Sequence, residues 1–250
     1  MSVSVIVITL NEEAAIGRCL ASVSWADEIV VVDSGSTDRT VELSRAAGAR
    51  VTVTSDWPGF GPQKNRALDL ATGDWVLSLD ADEWVSPALA AEIRTAVTQP
   101  DAPAGFELPR LSSFVGREMR HSGWWPDYVT RLFRRGAARF SDDLVHERLV
   151  VNGAFGRLTE PLRHESFTSL EEVVDKMNRY SSASARMRVE RGKGGSVGSA
   201  VAHGVWAFIR TYVLRAGFLD GREGFVLAVA NAEGTYYRYL KAWLASRRSA

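Results

Sequence analysis

MSVSVIVITLNEEAAIGRCLASVSWADEIVVVDSGSTD, residues 1–38, decides the fold class. Two runs in it, Ser4 to Thr9 (SVIVIT) and Glu28 to Val32 (EIVVV), are short and rich in β-branched residues. The second has almost no polar alternation, which is the pattern of a strand buried on both faces. Glu12 to Ser22 between them reads as a helix, and Thr37 to Ala47 reads as another after the turn residues Asp33, Ser34 and Gly35. Further along, Arg50 to Thr54 reads as a strand, Gln63 to Ala71 as a helix and Trp75 to Leu79 as a strand. This alternation predicts an α/β, Rossmann-like, doubly wound and mostly parallel sheet.

After Leu79 the pattern changes to Pro-, Gly- and Trp-bearing segments. Short strands are expected at Gly105 to Leu108, Val129 to Phe133 and Leu149 to Val151, built onto one end of the sheet. From Ser169 onward the pattern is helical, interrupted at Gly192, Gly194 and Gly195. The expected division is a main domain over 1–168 and a helical extension over 169–250. Within the first, one half covers about 1–100 and the other about 101–168.

At 46% hydrophobic and 24% charged, the 250-residue chain excludes a disordered protein and can bury one substantial core. The single cysteine, Cys19, excludes an internal disulfide; with no apolar signal sequence at the N-terminus, the expected compartment is the cytosol. Cys19 itself reads as a small core residue. The net charge of zero conceals an asymmetry: residues 1–175 hold 17 Lys and Arg against 26 Asp and Glu, and residues 176–250 hold 13 against 4. An acidic body suits a bound cation, and a basic tail suits an anionic membrane surface. No nucleic-acid module is recognisable, so nucleic acid is not an expected partner.

The stretch Val197 to Leu219 is broken by His203, Arg210 and Arg215, too often for the roughly 20 apolar residues of a membrane span. Val201, Val205, Phe208, Ile209, Tyr212 and Ala216 recur at helical spacing, alongside Trp206, Trp243, Arg247 and Arg248. These are residue types that settle at a headgroup boundary. A helical pair with its apolar positions turned toward the core is the other reading.

Open parallel sheets bind ligands at the carboxyl ends of their strands. The first strand ends in Thr9-Leu10-Asn11-Glu12-Glu13, the second in Asp33-Ser34-Gly35-Ser36-Thr37-Asp38, and the fourth in Asp80-Ala81-Asp82-Glu83. Asp80 and Asp82 stand two apart at a strand end, where such residues point to one side. Carboxylates that close repel unless a cation lies between them, and Mg²⁺ or Mn²⁺ completed by substrate phosphates suits the arrangement.

These segments, with Gly61-Pro62-Gln63-Lys64-Asn65, resemble the ordered signatures of family-2 glycosyltransferases of the GT-A fold. More narrowly, Arg131-Leu132-Phe133-Arg134, Val145-His146-Glu147 and His164-Glu165-Ser166 resemble the branch containing lipopolysaccharide core β-1,4-glucosyltransferases. The resemblance covers about residues 3–180. It implies an inverting transfer of a sugar from a nucleotide-sugar, with UDP the expected nucleotide, to a glycolipid or saccharide acceptor at the cytoplasmic face of the inner membrane.

By that resemblance Asn11, Glu12 and Asp33, with Thr9 beside them, line the base and ribose. Asp80 lies near ribose and metal, Asp82 is the direct metal ligand, and His164 approaches the metal or the diphosphate. Asn11 and Asp33 also stand where helix caps are expected. Lys64 opens a predicted helix and can meet the diphosphate. Glu147 is the candidate base that takes the acceptor proton, with Asp143 and then Glu83 as rivals; Asp142 also lies nearby. Trp124 and Trp125 in a Pro-flanked loop offer faces for stacking on a sugar, and Arg131 can meet acceptor phosphates. A sugar nucleotidyltransferase would carry a Gly-rich basic loop where this chain has Asn11-Glu12-Glu13. A non-catalytic binding protein would have no use for intact Asp80, Asp82 and Glu147.

Overall fold

The computed structural model describes residues 1–141 and 148–248. In chain order the elements are β1 (Val3–Thr9), α1 (Ile16–Ser22), β2 (Glu28–Asp33), α2 (Thr40–Ala46), β3 (Arg50–Val53), α3 (Phe60–Leu70) and β4 (Trp75–Asp80). These are followed by β5 (Glu83–Trp84), α4 (Pro87–Thr98), β6 (Gly105–Phe114), β7 (Arg117–Glu118), β8 (Asp127–Arg134) and β9 (Ala138–Phe140). Then come β10 (Leu149–Val151), β11 (Phe155–Arg157), β12 (Leu162–Phe167), α5 (Leu170–Glu190), α6 (Val197–Ile209) and α7 (Gly221–Arg248).

The main sheet runs β3-β2-β1-β4-β8-β6-β12-β5. Its first four strands are parallel, and β8 and β6 add on antiparallel. The parallel strands carry alternating residues into two cores, which is why they read as continuous apolar runs. Val5, Val7, Val31, Leu77 and Leu79 pack with α1 and α4, while Ile6, Val30, Val32 and Val76 pack with α3 and Phe133. Cys19 lies in the first of these cores, where burial pushes its thiol pKa up.

Two helices begin later than the sequence suggests. The backbone N–H groups of Asn11, Glu12 and Glu13 donate to Ser36, Thr40 and Asp38, so the chain is held in a turn until α1 starts at Ile16. Asp38 accepts from the backbone and hydroxyl of Thr40, and α2 starts there rather than at Thr37. In the other direction, α3 begins at Phe60, just after Gly59 at φ 111°, a backbone angle that favours glycine.

The chain forms two compact units that do not follow the 1–168/169–250 division. The first comprises Met1–Arg110 and Asp127–His164, and the second Leu111–Pro126 and Glu165–Ala250. In the second, Ser169 Oγ accepts the Glu172 N–H at the start of α5 while the Glu172 carboxylate accepts the Thr168 N–H, and Ser196 and Ser199 cap α6 reciprocally. Asp220, 2% exposed, accepts hydrogen bonds from the backbone of Arg120 and His121 and from Ser122 Oγ, tying the 120–122 loop to the start of α7.

The face that α6 buries is the opposite of the usual one. Ala200, Gly204 and Ala207 are buried, whereas Val197, Val201, Val205 and Trp206 are 47–55% exposed. Gly204 sits where a Cβ would meet Ala232 O and Tyr236 Cβ at 3.3 Å, so small residues let α6 approach α7 closely. Among the described residues, no helix is long and apolar enough to cross a membrane.

Candidate active site

At the tips of β1 and β2, Thr9 and Asp33 are register partners. Asp33 is fully buried, and its carboxylate is satisfied by the chain itself. One oxygen accepts from the N–H groups of Gly35 and Ser36, the other from Thr9 Oγ1 and Ser36 Oγ. The Asp33 carboxylate thus shapes the turn, in keeping with its place where a cap is expected. Asn11 Oδ1 accepts from Thr37 N–H at 2.8 Å, fastening the β1 tip to the same turn and leaving the Asn11 and Leu10 surfaces exposed. Gln63, fully buried, donates to Ser34 Oγ and Thr54 Oγ1 and so holds α3 against the ends of β2 and β3.

The neighbouring tip belongs to β4, where Asp80 is in register with Ile8. Lys64 Nζ lies 3.0 Å from Asp80 Oδ1, and Arg131 donates to Asp80 Oδ2 at 2.5 Å. The same guanidinium nitrogen donates to Glu83 Oε1 at 2.7 Å, while Glu83 Oε2 accepts the Asp80 N–H at 3.0 Å. Arg110 adds a contact to Glu83 at 3.5 Å and is itself held by Asp127 at 2.6 Å. Burial alone would raise the Asp80 pKa, but the charges of Arg131 and Lys64 outweigh it and hold the carboxyl well below the usual carboxylate range. Burial likewise opposes charge on Arg131, and Asp80 and Glu83 more than compensate, raising its pKa.

Three expectations change here. Arg131 is 8% exposed and clamped between two carboxylates, so its side chain supports the rim instead of reaching toward acceptor phosphates. Lys64 lies in the second turn of α3, not at its start, and its ammonium is buried against Asp80. Among the described residues Asp80 and Asp82 share no hydrogen-bond or ion-pair partner; β4 ends at Asp80, and the alternation that would align them ends with it. Asp82 stands in the following turn, with its Oδ2 3.4 Å from His164 Nε2. His164 is brought there by the antiparallel pairing of β12 with β5, in which it faces Glu83 in register.

Among the described residues no group of three or more His, Cys, Asp or Glu side chains could by itself hold a metal ion. Among the described residues the protein offers a pair, Asp82 and His164, with side chains 38% and 15% exposed. Glu147, Asp142 and Asp143 lie outside the described residues. Trp124 and Trp125 belong to the second unit: Trp124 packs against Phe114 and Phe167 in an aromatic cluster, and the half-buried Trp125 has the Arg120 guanidinium 5.7 Å from its ring centre. Trp124 is thus a packed side chain and not the open platform expected. Sequence reasoning missed Arg110, Asp127 and the pinning role of the fully buried Glu83, whose partners lie far along the chain.

Residues 4–155 match the profile described as Glycosyl transferase family 2. The chain belongs to this family. A lipopolysaccharide core biosynthesis glycosyltransferase of Rhizobium meliloti (strain 1021), LpsC, is 32% identical over 97% of this chain and 91% of its own length. An uncharacterised glycosyltransferase of Rickettsia prowazekii (strain Madrid E) is 33% identical over 96% of this chain and 86% of its own. Of solved structures, glucosyl-3-phosphoglycerate synthase from Mycobacterium tuberculosis, in complex with Mn²⁺, UDP and glucosyl-3-phosphoglycerate, is 30% identical over 46% of this chain and 44% of that chain, with a TM-score of 0.38. The mixed sheet with flanking helices and a long C-terminal helix is the GT-A-like architecture of this family 2 glycosyltransferase.

The clamp makes a quantitative prediction. Asp80→Asn leaves Lys64 and Arg131 undercompensated; because Asp80 is one third exposed to screening water, the cost should be about 2 kcal/mol, below the roughly 3–5 kcal/mol of a fully buried pair. Urea denaturation checks this, and adding Lys64→Met to Asp80→Asn should recover part of the loss.

Proposed function

We propose that this glycosyltransferase moves a sugar, with inversion, from a UDP-sugar to a cell-envelope glycolipid such as the lipopolysaccharide inner core. The observation that carries the donor side is the separation of labour at the β4 tip. Asp80 is occupied by Lys64 and Arg131, while Asp82 Oδ2 and His164 Nε2 face each other across 3.4 Å. An aspartate oxygen and an imidazole nitrogen fit Mn²⁺ or Mg²⁺ as a partial ligand set, which a diphosphate and water can complete. The cation supplies neutralisation of the charge that grows on the departing diphosphate.

The chain's own groups do the rest. The exposed Asn11 and the half-buried Glu12, on the turn shaped by Thr9 and Asp33, hold the base and ribose. Lys64 places a positive charge behind the diphosphate. A carboxylate takes the proton of the acceptor hydroxyl as its oxygen attacks the anomeric carbon, and Glu147 is the residue assigned to that role. The acceptor class is supported by the LpsC relative, whose name states lipopolysaccharide core biosynthesis and which aligns with nearly the whole chain.

A membrane-resident acceptor is further supported by α6. Large apolar residues outward and small residues inward is the arrangement of a helix whose outer face meets lipid. Val205 and Trp206, both more than half exposed, lie on that face, and the last 75 residues are strongly basic, a combination suited to the anionic cytoplasmic leaflet.

A thermal-shift screen of UDP- and GDP-sugars with Mn²⁺ or Mg²⁺ tests the donor reading. A saturating UDP-sugar should raise Tm by several degrees in a cation-dependent way, and Asp82→Ala should abolish the shift. Glu147→Gln should keep the shift and lose transfer by about 10²-fold or more. A shift that survives both chelation and Asp82→Ala contradicts the metal assignment, and full transfer by Glu147→Gln removes the base. Co-sedimentation with vesicles containing phosphatidylglycerol tests the membrane reading: the wild type should pellet, and the doubly substituted Val205→Asp/Trp206→Asp protein should stay in solution. Equal pelleting of the two would sink it.

A further inference from the structure

The second unit contains two adjoining clefts that the sugar-transfer reading does not use. The larger, about 320 Å³, runs between α5 and α7 and is lined also by Phe114, Trp124, Phe167 and Lys176, whose ammonium lies 4.6 Å from the Phe167 ring centre. That volume is at the lower end of the roughly 300–1,000 Å³ of small-molecule sites. Val173 and Met177 of α5 face Leu227 and Gly234 of α7 across it. Gly234 makes room for Met177 of α5, since a Cβ there would come within 3.1 Å of Met177 Cγ.

Ser184 and Arg238 line this cleft and also the second one, of about 300 Å³, so the two meet at those residues. The second cleft has a different chemistry. Its wall holds Arg188, Arg191, Lys193 and Arg238 around the Tyr239 ring, with the Arg188 and Arg238 guanidinium carbons 4.4 and 5.0 Å from the ring centre. Among the described residues none of these four cations is paired with a carboxylate. Among the described residues Arg238 Nε is buried with no hydrogen-bond partner.

An apolar cleft that opens at one end onto unpaired cations selects a ligand that is apolar along its length and anionic at one tip. We infer that the helical unit binds a single-chain anionic amphiphile, its hydrocarbon chain between α5 and α7 and its phosphate against Arg188, Arg191, Lys193 and Arg238. Guanidinium groups suit a phosphate geometrically, and three of them line the second cleft. The wet, basic cleft takes the head and the aromatic-lined cleft takes the tail, so the two contributions can be separated by probe and by substitution.

Isothermal titration of the full-length protein with dodecyl phosphate, dodecanol and inorganic phosphate, the two amphiphiles kept below their aggregation limits, tests the assignment. Dodecyl phosphate should bind one to one, at least tenfold more tightly than dodecanol, and millimolar inorganic phosphate should not displace it. Arg188→Ser/Arg191→Ser should reduce dodecyl phosphate to the affinity of dodecanol and leave dodecanol unchanged. Ala230→Trp, which fills the apolar cleft, should remove binding of both amphiphiles. If that variant does not fold, the arginine pair near the end of α5 decides. Equal affinities for the two amphiphiles, displacement by inorganic phosphate, or unaltered binding in Arg188→Ser/Arg191→Ser would overturn the inference.

Discussion

The clamp on Asp80 is the constraint from which the rest of the donor side follows. Lys64 from α3 and Arg131 from β8 close on one carboxylate at the end of β4, and Glu83 from β5 closes the circuit by accepting both Arg131 and the Asp80 N–H. Taking such ions out of water costs several kcal/mol each, so the cluster is tolerable only while every member keeps its partner. Four elements are thereby held to one geometry. With Asp80 so engaged, the proposed cation site lies two residues along, at Asp82 and its contact with His164.

The parallel half of the fold was legible because strands covered on both faces read as unbroken apolar runs, as Glu28 to Val32 does. The antiparallel additions were seen but shortened: β6 extends to Phe114, well beyond Leu108, because Arg110, Ser112 and Ser113 interrupt the apolar signal while still pairing. Helix starts were misplaced where distant side chains consumed the local backbone donors, as Ser36, Thr40 and Asp38 do at residues 11–13. No local pattern carries that information.

The site was legible in its residue types and not in its pairings. Lys64, Asp80, Asp82 and His164 were all named beforehand, but Arg131 reads from its strand as a surface charge. It is buried only because carboxylates 51 and 48 positions away meet it. The sequence reads Asp80 and Asp82 as neighbours on one side of a strand, but the two-residue repeat applies within a strand and β4 ends between them. In the second unit, periodicity revealed the stripe through Val201 and Val205 but not its direction. Ala200, Gly204 and Ala207 recur on the opposite side, and the close approach to α7 selects them for the interior.

The account is tested most directly by where a cation sits. Anomalous diffraction from crystals grown with Mn²⁺ and UDP should place one manganese about 2.0–2.3 Å from Asp82 Oδ2 and His164 Nε2, with Asp80 still bound to Lys64 and Arg131. A manganese coordinated by Asp80, with Lys64 or Arg131 displaced from it, would contradict the account.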